Sequence, residues 1–74
     1  MRLVDLKKGI DIPYEAVRLS SFRSMYNECF LIAHFERSHE NIIEKNNLDD
    51  VENAWRKIID AYENDERVVW LDSL

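Results

Sequence analysis

Residues 29–36 read CFLIAHFE, and no backbone conformation gives this run a polar side. Drawn as a strand, Cys29, Leu31, Ala33 and Phe35 line one face, while Phe30, Ile32 and His34 line the other. Strands apolar on both faces are ordinarily covered on both. Drawn as a helix, the run is apolar around most of its circumference and has to be surrounded. Either way the segment needs two coverings, and the remaining residues have to supply them.

One covering is plain. In NLDDVENAWRKIIDAYENDE, Val51, Ala54, Trp55, Ile58, Ala61 and Tyr62 recur at spacings of three and four, with Leu48 and Ile59 beside them. Asn47 is placed to cap the start, and Asp49, Asp50 and Glu52 crowd the first turn, where the helix dipole favours negative charge. Glu52 and Arg56 have the spacing and order of a stabilising ion pair. The pattern predicts a helix over 48–64 with a single apolar stripe.

The rest reads best as short strands. RVVWLD, near 67–72, is β-branched and aromatic and follows a polar break. Near the start, strands at 2–7 and 10–20 meet at the lone Gly9, with Pro13 marking an edge or bulge. CFLIAHFE gives a strand near 28–36, a polar turn follows at Arg37 to His39, and Ile42 and Ile43 lie in a strand near 40–46. The expected fold is a single α+β domain over 1–74, a small antiparallel sheet with one amphipathic helix. The alternative is mostly α, with a helix across 14–36. Leu19, Phe22, Tyr26, Cys29, Phe30 and Ala33 would then share an arc of about 100° after Pro13. Against it, Leu31, Ile32 and Phe35 fall off that arc, and Ser20, Ser21, Ser24 and Asn27 are weak helix formers.

The order LKKGIDIP, then FLIAHFERSHENII, then a capped amphipathic helix resembles small α+β domains of bacteria and their phages, in which two hairpins precede one helix. The resemblance covers most of the chain and implies a fold. It brings no functional residue with it.

One helix covers one face of a sheet. The second apolar face is therefore expected to close against another molecule, most economically a second copy, through Phe30, Ile32, Val69 and Leu71. Small folds often rely on disulfides or a structural metal instead, but one cysteine forms no internal disulfide, and two histidines with it fall short of a four-ligand zinc site. Charge narrows the partner. Up to residue 46, seven acids balance seven bases; from 47 onward eight acids face only Arg56, Lys57 and Arg67, which carries the whole net charge of −5. Direct nucleic-acid binding, which needs clustered bases, is disfavoured. The acidic helix side, where Asp49, Glu52, Asp60 and Glu63 project outward, is either a solvated face or a surface for a protein with a basic patch. Tyr62 and Trp70 either pack in the core or, if exposed, would anchor such a contact. The longest apolar run, Cys29 to Ala33, is too short to span a bilayer, and MRLVDLKKGI has charges where a leader needs none. A cytoplasmic protein is expected.

Chemistry-bearing residues are few. His34, Glu36, His39 and Glu40 are close in sequence but lack a metal-site spacing. Cys29 and His34 point to opposite sides of a strand, and Gly9 alone makes no phosphate loop. No catalytic, metal or cofactor residue is assigned. The sequence is read as a non-catalytic interaction module, an inhibitor or accessory factor of phage or mobile-element type, or alternatively as an assembly subunit that self-associates through its apolar sheet face.

Overall fold

A computed structural model describes all 74 residues. The elements are β1 (Arg2–Asp5), β2 (Ile10–Pro13), a 3-10 turn (Tyr14–Ala16), β3 (Arg18–Arg23), β4 (Cys29–His34), β5 (His39–Lys45), α1 (Leu48–Glu63), β6 (Val68–Trp70) and a second 3-10 turn (Leu71–Ser73). The fold is α+β, and the helical alternative across 14–36 is overturned, because β3 and β4 occupy that stretch. The expected single antiparallel sheet is instead two sheets of three strands, ordered β2-β1-β6 and β3-β4-β5.

Pro13 explains the division. It ends β2 at φ −78°, and Tyr14–Ala16 then turn the chain before it extends again at Val17. What reads as one strand over 10–20 is thus two, and the second runs on to Arg23 in a different sheet. Helix α1 returns the chain beside β1, so β6 pairs with β1 in parallel, Leu3 opposite Val69 and Val4 opposite Trp70. This is the one parallel contact in the fold, and the helix supplies the crossover such a contact requires.

CFLIAHFE is resolved by this arrangement. Cys29, Leu31 and Ala33 are at most 1% exposed and pack in one core with Val51, Ala54 and Ile58 of the helix and with Leu3, Ile12 and Val69 of the other sheet. Phe30, Ile32 and His34 face the other way and are only half-buried. A bulge refines the packing: Ile43 lies opposite Leu31 and Asn41 opposite Ile32, which leaves Ile42 as the extra residue. Two successive residues can then turn inward, and Ile42 and Ile43 are both buried.

The helix has defined ends. The Asn47 side chain accepts from the Asp50 amide at 2.9 Å. At the other end Asp65 amide donates to the Tyr62 carbonyl and Glu66 amide to that of Ala61, a Schellman closure with Asp65 in the left-handed region at φ 57°. The predicted Glu52–Arg56 ion pair does not form. The Arg56 guanidinium reaches Asn53 Oδ1 at 3.5 Å instead, one residue nearer along the helix.

Asp5 is the one buried polar side chain. Its Oδ1 accepts from the Lys7 and Lys8 amides at 3.1 and 3.2 Å, closing the loop that returns through Gly9 at φ 69°. Removing that acceptor leaves two loop amides without a partner. Asp5→Ala is expected to cost about 1–3 kcal/mol, read as a lower urea midpoint at unchanged slope. An unchanged midpoint would show the loop holds itself.

Candidate interaction surfaces

Two faces of the β3-β4-β5 sheet have different fates. The helix covers one; the other looks away from the core and carries the predicted self-association residues Phe30 and Ile32. Phe22 lies directly opposite Phe30, and Ser20 opposite Ile32, so an aromatic pair and an isoleucine form one apolar strip. Phe22 is 50% exposed, and the hairpin loop beyond it adds Met25 at 85% and Tyr26 at 78%. That loop is held by Ser24, whose Oγ accepts from the Tyr26 and Glu28 amides, with Asn27 in the left-handed region. The exposed pair is therefore displayed on a braced turn.

Val69 and Leu71 correct the prediction. Both are buried in the core, at 7% and 3%, and are unavailable to a partner. The closing strand turns Val68 and Trp70 outward instead, Trp70 being 49% exposed. Sequence could not choose between the two sides of RVVWL, because both are apolar.

The acidic residues lie where the periodicity puts them. Asp49, Glu52, Asp60 and Glu63 are all exposed, and at 3.6 residues per turn they fall within an arc of about 80° opposite the buried stripe. Arg56 lies inside the same arc. The helix itself accounts for Asp49 and Asp50, which sit in the first turn. It does not account for Asp60 and Glu63. No basic residue stands in the last turn, and negative charge there opposes the dipole.

A third feature lies at the start of β3. An open groove runs between Tyr14, Val17 and Leu19 on one side and Trp55 and Ile59 on the other, with Glu15 and Arg18 at its rim. Tyr62, 46% exposed, stacks obliquely on Tyr14 with ring centres 4.9 Å apart. Glu15 takes a hydrogen bond from the Met1 amino group at 2.5 Å, which holds its carboxyl below the usual range. Nothing in the local sequence pattern signals this groove, since its walls come from residues some forty positions apart.

The remaining candidates resolve into local contacts. His39 begins β5 rather than lying in the turn, and stands opposite His34 with ring centres 6.1 Å apart. Ser20 Oγ and His34 Nε2 are 2.6 Å apart across the β3–β4 pair. No carboxylate holds the other ring nitrogen, so the pair lacks the orienting group a nucleophile and base require. Cys29 is buried on the helix side, its thiol directed at the Asn27 carbonyl, away from His34. No three His, Cys, Asp or Glu side chains converge. No helix is long and apolar enough to cross a membrane. Compared with known proteins, the chain matches no family model, no curated protein and no solved structure.

Proposed function

We propose that this chain is a non-catalytic protein-interaction module, an inhibitor or accessory factor that presents its acidic helix side to a basic protein surface and self-associates through the opposite side of the β3-β4-β5 sheet. The observation that carries the first half is the charge at the end of α1. Asp60 and Glu63 are exposed there without a basic neighbour in the last turn, where they weaken the helix. Charge kept at a cost to local stability is better explained by what it meets than by what it supports. Neither Asp60 nor Glu63 has an ion-pair partner within the chain. The single cysteine, unpaired and buried, accords with a reducing cytoplasm.

The second half rests on Phe22, Phe30 and Ile32, adjacent in register on a face that no element of the chain covers. Light scattering is expected to give twice the chain mass for the wild type and the chain mass for Phe30→Glu, with unchanged circular dichroism. A wild type that stays monomeric at about millimolar concentration removes this half. For the first half, lysate proteins held by the immobilised chain at about 0.05 M salt are expected to elute by about 0.5 M, as contacts between exposed charges do. Retention indifferent to salt removes it. A dimer that holds no further protein favours instead the reading of an assembly subunit, which the apolar strip alone supports.

A further inference from the structure

The edge of the β3-β4-β5 sheet carries its own address. β3 is the terminal strand, and only β4 pairs with it. The Ser24 amide donates to the Glu28 carbonyl at the head of the hairpin. Hydrogen-bonded pairs alternate along an antiparallel ladder, so Phe22 with Phe30, Ser20 with Ile32 and Arg18 with His34 continue that bonding. The backbone N–H and C=O groups of Leu19, Ser21 and Arg23 therefore point outward from the free edge. Six residues of extended backbone with open hydrogen-bonding groups form a template for another strand.

The two ends of this edge are complementary to each other. At one end the hairpin loop displays Met25 and Tyr26, the most exposed large apolar side chains after which only Leu6 compares. At the other, the groove walled by Tyr14, Val17, Trp55 and Ile59 opens beside the first residues of β3. An antiparallel second copy, related by a two-fold axis at Ser20, brings each loop alongside the partner's Tyr14–Ala16 turn, where that groove lies. The same axis keeps outer faces with outer faces. It sets Leu19 opposite the partner's Ser21, so that each such pair exchanges both backbone bonds. It sets Arg18 opposite the partner's Phe22, a half-exposed ring within reach of a guanidinium. No like charges stand opposite each other. Centring the axis on Ser21 instead sets Arg23 opposite the partner's Leu19 and leaves the exposed Phe22 ring opposite Ser20.

We infer that two copies join β3 to β3 about Ser20, extending the three-stranded sheet to six strands, with each hairpin loop seated at the partner's groove. This inference rests on the reading above only for self-association. It moves the contact from the outer face of the sheet to its free edge, and Phe30→Glu, on the central strand away from that edge, is then expected to remain dimeric. Edge pairing makes the apolar strips of Phe22, Phe30 and Ile32 parts of one continuous surface on the side away from both helices.

Two variants test it beside the Phe30→Glu protein. Ser21→Pro removes an amide that faces solvent within one chain, a position where an edge strand tolerates proline, and it is expected to be folded and to show at least a tenfold weaker dimer by light scattering. Ser20→Cys is expected to give a covalent dimer on mild oxidation, since non-hydrogen-bonded pairs bring Cα atoms to about 4.5 Å, within disulfide range. The buried Cys29 makes the wild type a control. If Ser21→Pro fails to fold, the cross-link alone decides. A dimer unmoved by Ser21→Pro but lost in Phe30→Glu overturns edge pairing and leaves self-association through the face standing. A cross-link from Ser21→Cys with none from Ser20→Cys overturns the register. A monomeric wild type overturns both readings together.

Discussion

Leu31→Ala is expected to leave much of the chain unfolded at room temperature, whereas Phe30→Ala, one residue away, is expected to cost about 1 kcal/mol or less. Leu31 is 0% exposed at the centre of β4, opposite Ser21 and Ile43, and belongs to the core that joins helix and both sheets. Truncating such a leucine removes its transfer free energy and leaves a void, together about 3–5 kcal/mol. At about 0.05–0.15 kcal/mol per residue, a domain of this size has a total stability of about 4–11 kcal/mol, and small domains lie toward the lower end. Phe30 points away from that core and is only partly buried, with Phe22 opposite it on β3. Urea unfolding of both variants as monomers measures the difference. Equal losses would mean that the outer side of the strand is packed as tightly as the inner one, and that no face is left for a partner.

That contrast is also where the sequence stopped being informative. Helix α1 was legible to within a residue at each end, because Asn47, the acidic first turn and the three-four spacing all point to the same element. The strands were legible as extended segments, but their sides were not. Cys29, Leu31 and Ala33 are no more apolar than Phe30 and Ile32, and Val69 and Leu71 no more than Val68 and Trp70, so hydropathy does not say which parity enters the core. The choice is made by partners distant in the chain: α1 lies across the first set, and β1 takes β6 in parallel. Pro13 marks an edge strand, as its missing amide predicts, and its restricted φ also ends that strand and lets the chain start another sheet, which the sequence does not announce. The adjacent Ile42 and Ile43 did carry a local signal, since two neighbouring large apolar residues in one strand fit a single core only across a bulge. The groove at Tyr14 and Trp55 had none, because nothing short of the folded chain brings its walls together.

Replacing Asp60 by Asn and Glu63 by Gln is expected to move stability and binding in opposite directions. Each neutralisation removes a negative charge from the end of α1 where backbone carbonyls already concentrate negative potential, and so stabilises by about 0.3–1 kcal/mol at low salt. Size and helix propensity change little, so the gain is electrostatic. Asp49→Asn provides the internal control. It lies in the first turn, where its charge favours the helix, and its loss is expected to cost a similar amount. Against a basic partner surface the ordering differs: Asp49, Asp60 and Glu63 share one exposed arc, so the double variant is expected to associate about tenfold or more slowly, with Asp49→Asn intermediate. Both effects should shrink together at about 0.5 M salt, because all three groups are exposed. Thermal unfolding and association rates of the same three proteins separate the explanations. If the acids serve only to keep a helix solvated, the double variant gains stability and loses nothing. If they are there to be met by a partner, the more stable protein is the one that binds worse, and a double variant that binds as fast as the wild type ends the case for the acidic face.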